Sequence, residues 1–134
     1  MPRTLVLGTE TTQDASGEWS RGGPVELDAD ALVRHAFVCG ASGAGKTVFS
    51  KGLVEEAVLA GVPVIAVDFK GDLASLALTG PLARAEALRS VFGDEAPVIA
   101  AEWEAGATAN GVDRARAEAY AARSYVRLFT PNSR

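Results

Sequence analysis

Gly40-Ala41-Ser42-Gly43-Ala44-Gly45-Lys46-Thr47 reads G-x-x-x-x-G-K-T, with every fixed position of the Walker A pattern filled. An apolar run of strand type, His35-Ala36-Phe37-Val38-Cys39, precedes it, and a helical pattern from Val48 to Ala60 follows. Strand, glycine loop and helix in that order form the context that separates a phosphate loop from a chance glycine-rich turn. The residue types suit the chemistry. A triphosphate is held largely by backbone N–H groups, so the chain must come close to it. Gly40, Gly43 and Gly45 have no Cβ to prevent that approach. The loop opens into a helix N-terminus, whose N–H groups and dipole favour an anion. The expected cradle is Gly40, Ala41, Ser42, Gly43, Ala44, Gly45, Lys46, Thr47 and Val48. In it Lys46 would reach the outer phosphates of ATP, and the Thr47 hydroxyl would ligate Mg²⁺.

The rest of the sequence sets bounds on this reading. The 134 residues suffice for one domain with a core, and 48% of them are hydrophobic. The net charge is −4, which gives no basic footprint for nucleic acid. A single cysteine excludes an internal disulfide and fits a reducing compartment. Cys39 is expected to be a small buried hydrophobe. No stretch is long enough to span a membrane, and the apolar run at the N-terminus is too short for a signal peptide, so cytoplasm is the expected compartment. His35 is the only histidine, so no histidine pair can bind a metal.

Taken in order, residues 4–28 read as a loose β-hairpin. Leu5-Val6-Leu7 and Pro24-Val25-Glu26-Leu27-Asp28 are its strands, and Asp14-Ala15-Ser16-Gly17 is a turn. Trp19 is expected to cover apolar surface there. Asp28 should cap a short helical turn. In the helix after the loop, Phe49, Leu53, Ala57 and Ala60 form an apolar stripe widened by Val54 and Val58, and Gly61 should stop it. Gly52 inside that helix suggests close packing on a sheet. Val62-Pro63-Val64-Ile65-Ala66-Val67-Asp68-Phe69 is apolar enough for a strand covered on both faces. With the first apolar run and the intervening helix it would complete a right-handed βαβ unit.

Beyond it, Leu73 to Leu78 reads as helical, Thr79-Gly80-Pro81 as a break, and Pro81 to Phe92 as a helix. Residues 94–110 favour helix over a short strand at Pro97-Val98-Ile99-Ala100, with Trp103 as a packing residue and Asn110-Gly111 as the stop. Asp113 should cap a helix to about Arg123, and Tyr125 to Phe129 alternates like a third strand before a turn at the end. Asp68 has two readings. It ends the apolar strand as a Walker B acid would, at the sheet edge where ligands bind, or it caps the turn Lys70-Gly71-Asp72.

These residues resemble a known family. The run His35 to Thr47 is similar to the H-x-hydrophobic-x-G-x-[ST]-G-x-G-K-T entry of the HerA/FtsK-type ATPases. Val64-Ile65-Ala66-Val67-Asp68-Phe69-Lys70-Gly71-Asp72-Leu73 looks like that family's second strand, ending in D-x-K-G-D-L. Pro24 to Asp28 and Leu32-Val33-Arg34-His35 resemble its lead-in in bacterial HerA-like ATP-binding proteins. Val126-Arg127-Leu128-Phe129-Thr130-Pro131-Asn132-Ser133 resembles a strand ending in T-P-G-S, with Asn132 where glycine is usual. The resemblance implies a motor ATPase, usually a hexameric ring, that acts on DNA through the complete assembly. It also implies that Asp68 is not the family's water-polarising acid, because a later strand ending in Asp-Glu, a sensor strand and an arginine finger are not found here.

The expected fold is therefore α/β: a partial P-loop NTPase-like parallel sheet with flanking helices, preceded by a short β-hairpin. Residues 1–30 would be the lead-in and 31–134 a nucleotide-binding domain with an incomplete core. The expected function is ATP binding with Mg²⁺, with Lys46 and Asp68 as the candidate catalytic residues and slow or absent hydrolysis by this chain alone. Two other classes fit a phosphate loop: a small metabolite kinase, with Arg84 and Arg89 as lid residues, and a non-hydrolysing ATP-binding switch module.

Overall fold

Asp14 organises the first element. Its Oδ1 accepts hydrogen bonds from the backbone N–H of Ser16 at 2.8 Å and of Glu18 at 3.0 Å, and from the Ser16 hydroxyl. Gly17 turns the chain at φ 87°. The computed structural model describes residues 4–78, 85–109 and 114–130. On either side of this turn run β1 (Thr4–Gln13) and β2 (Trp19–Asp28), paired antiparallel with Leu5 opposite Leu27 and Gln13 opposite Trp19. The register shifts between Val6 and Gly8 and again between Thr9 and Thr11. The expected hairpin is thus present, with strands longer than the apolar runs alone suggested.

The chain divides into two compact units, one ending at Val67 and one beginning at Asp68. In the first, Asp28 caps a 3-10 helix at Ala29–Val33, its carboxylate accepting from the Asp30 N–H at 2.9 Å. The phosphate-loop sequence then leads into α1 (Lys46–Leu59). This helix ends as the sequence indicates. Gly61 takes φ 76°, its N–H bonds to the Val58 carbonyl, and the Val62 N–H bonds to the Ala57 carbonyl. That pair of bonds is a Schellman motif. Val62 accordingly packs on the cluster of buried Leu5, Ala29 and Ala57, together with Leu7 and Leu32. Leu5 and Leu7 alternate to one side of β1, and α1 covers that side.

The second unit is helical. A 3-10 helix at Asp72–Ala77 is followed by α2 (Ala85–Phe92), a 3-10 turn at Gly93–Glu95, α3 (Ala96–Ala109) and α4 (Arg114–Arg123). Residues 97–100 are helix rather than strand because Pro97 falls in the first turn of α3, where its missing N–H has no helical partner to lose. Leu88, Ala96 and Ala100 are buried, with Phe92 and Ile99 against them. Trp103 meets Phe92 edge-on, centroids 6.0 Å apart, as a packing residue should. The Tyr120 hydroxyl donates to the Leu76 carbonyl at 3.3 Å. The expected break at Thr79-Gly80-Pro81, the start of the Pro81 helix, the Asn110-Gly111 stop, the Asp113 cap and the final turn at residues 131–134 lie outside the described residues.

Several expectations are corrected. Among the described residues the sheet is the antiparallel hairpin, and no parallel sheet forms. The runs at residues 35–39, 62–69 and 125–129 join no ladder, so the expected βαβ unit is not formed. Many of their large side chains are open to solvent: Phe37 is 90%, Ile65 95%, Phe69 98% and Phe129 87% exposed. The two pairings differ in their connection: the hairpin closes over a short turn held by Asp14, whereas parallel strands need a crossover and pair slightly less stably per residue. Cys39, expected to be buried, is exposed along with its run. Trp19, expected to cover apolar surface, is 66% exposed. A Cβ built on Gly52 would meet nothing within 4 Å, so close packing does not account for that glycine.

Stability measurements on the full chain check these assignments. Leu5→Ala removes a fully buried side chain and should cost about 2–5 kcal/mol in urea unfolding. Gly52→Ala should instead stabilise by about 0.5–1 kcal/mol, since the methyl has open space and helix entropy falls. At the hairpin tip, the Ser16 hydroxyl, then the backbone N–H groups, hold the Asp14 carboxyl below its ordinary range. Its contribution to hairpin stability is therefore complete above the ordinary carboxylate pKa and lost as pH falls through the lowered value. The amide shifts of Ser16 and Glu18 should follow that titration in wild type and stay flat in Asp14→Asn.

Candidate functional site

The loop between Gly40 and Lys46 is closed by the lysine at its end. Lys46 Nζ donates to the Gly40 carbonyl at 2.9 Å and to the Ala41 carbonyl at 2.6 Å. The amine thus reaches back across the loop to its first two residues, and the intervening chain curls around it. Ala44 N–H bonds to the Ala41 carbonyl at 3.2 Å, which tightens the curve. Gly43 and Gly45 stand at φ 79° and 82°, a region that side-chain-bearing residues rarely adopt. At Gly40 the constraint is space. A Cβ there would lie 3.2 Å from the Ala44 Cβ and 3.7 Å from the Lys46 Cγ. Each of the three glycines therefore has a geometric reason to be one.

Gly45 is the N-cap of α1, and the first helical bond runs from the Phe49 N–H to the Gly45 carbonyl at 2.9 Å. No side chain caps this end and no acidic residue stands in its first turn. The positive end of the helix dipole is thus not neutralised by an acid of its own first turn. Ala41, Ser42, Gly43, Ala44, Gly45, Thr47 and Val48 are exposed along the loop and first turn, while Lys46 is half-buried by its bonds to the loop. Residues 40–48, consecutive in sequence, thus form one curled loop that runs into the head of α1. What such an arrangement can do is present a cation, a row of backbone N–H groups and a hydroxyl to an anion.

Asp68 lies in the second unit. Its Oδ1 accepts from the Lys70 N–H at 3.1 Å and its Oδ2 from the Leu73 N–H at 2.7 Å, closing a turn in which Gly71 takes φ 81°. The capping reading of this acid thus has a defined geometry.

Glu56 was not among the residues singled out from the sequence. It is 7% exposed, and its Oε2 accepts the Val6 N–H of β1 at 2.7 Å. The signal for it was present. Glu56 falls three residues after Leu53 and four before Ala60, inside the apolar stripe of α1, where a charge has to be paired. The stripe itself is only partly used: Ala57 is buried, Leu53, Val54, Val58 and Ala60 are half-buried, and Phe49 is exposed.

Among the described residues no helix is long and apolar enough to cross a membrane. Neither the curated proteins nor the solved structures include a match to the chain. The sequence model of the helicase HerA-like C-terminal family matches residues 13–99, from the end of β1 into the start of α3. That match covers more than half of the chain and contains both the Lys46 loop and the Asp68 turn, so the chain belongs to the helicase HerA-like C-terminal family.

Proposed function

We propose that this chain binds MgATP at the Gly40–Val48 loop and serves as the nucleotide-binding part of a HerA-like motor ATPase. The observation that carries this reading is the wrap of Gly40 and Ala41 around the Lys46 amine at the head of α1. The residues fit the ligand on three counts. The loop curls tightly on itself at Gly40, where an added Cβ would crowd the Ala44 Cβ at 3.2 Å. The head of α1 lacks an acid in its first turn. Thr47 is exposed beside Lys46 with an oxygen suited to Mg²⁺. In this reading Lys46 sets a positive charge against the outer phosphates, the backbone N–H groups of residues 43–48 orient them, and Thr47 holds the metal. When bound, Mg²⁺ would supply charge neutralisation at the phosphates.

Asp68 enters as the acid that shapes the turn at residues 69–73 rather than as the one that polarises water. Both of its oxygens already accept backbone N–H groups there. Hydrolysis by this chain alone is accordingly slow or absent. Action on DNA, and a ring of subunits, belong to the complete assembly; the net charge of −4 favours no grip on DNA by this chain itself.

Calorimetry with MgATP, followed by phosphate release on the same samples, tests the reading. Lys46→Ala should weaken binding about 10- to 100-fold, the equivalent of a charge-assisted hydrogen bond of ~1.5–3 kcal/mol. Neither protein should release phosphate at an appreciable rate. Equal binding by both proteins would overturn the site. Lys46-dependent release would show that an acid of this chain completes a hydrolytic centre, and transfer to a small acceptor would show a kinase.

A further inference from the structure

We draw no further inference here: the strongest candidate, the pair of exposed apolar runs at residues 35–39 and 62–67 on either side of α1 in the sequence, carries nothing because nothing in the structure shows what covers them.

Discussion

The Lys46 ammonium is the fixed point of the first unit. Its two bonds to the Gly40 and Ala41 carbonyls require the chain between them to curl, and the curl requires glycine where a Cβ would collide or where φ is positive. The same residue is the first of α1, so the curl also sets where the helix begins. From there the geometry is inherited. The helix carries Ala57 to Leu5 and Glu56 to Val6, and ends in the Gly61 motif that returns Val62 to the same cluster. Loop, helix and hairpin are thus connected through one element whose start is defined by a single side chain.

Everything ordered in this way is short-range or closes on a short-range element. The hairpin turns over Asp14 to Gly17, the 3-10 helix after it is capped by Asp28, and α2 and α3 pack across a three-residue 3-10 turn. The runs at residues 35–39, 62–69 and 125–129 are different in kind. Rich in apolar residues, they would gain stability from strand neighbours, and among the described residues none of them joins a ladder. A parallel ladder is slightly weaker per residue than a hairpin ladder and needs a crossover, and among the described residues the hairpin ladder is the one present.

This division also explains what could be read from the sequence. In the loop from Gly40 to Lys46 the glycines were legible, since Gly43 and Gly45 take the left-handed backbone that glycine permits, whereas the bonds of Lys46 to the Gly40 and Ala41 carbonyls were not anticipated. The turn at Asp14, the cap at Asp28 and the stop at Gly61 were legible for the same reason, each being specified within a few residues. Cys39 and Trp19 were not, because burial depends on what else packs nearby, and apolar character alone does not say whether a partner arrives. Glu56 was passed over because a glutamate on a helix is ordinarily solvated. Its place inside the Leu53–Ala60 stripe was the exception to notice. At Pro97 the apolar run favoured helix only slightly over strand, and its position in a first turn separates them.

The Asp68 turn bears on how the chemistry is divided. Lys70 and Leu73 present their N–H groups to the two oxygens of Asp68 because Gly71 takes a left-handed conformation between them. The sequence Asp-Phe-Lys-Gly-Asp-Leu is thereby explained as a turn-forming unit: an acid to gather the amides, a glycine to reverse the chain, and Asp72 to open the 3-10 helix that follows. Both oxygens of that carboxylate are engaged by backbone N–H groups of its own turn, at 3.1 and 2.7 Å. Lys46 is engaged differently, by the Gly40 and Ala41 carbonyls of the loop it closes. Phosphate binding and water activation are different demands, and the proposed nucleotide role rests on the Lys46 loop rather than on the Asp68 turn.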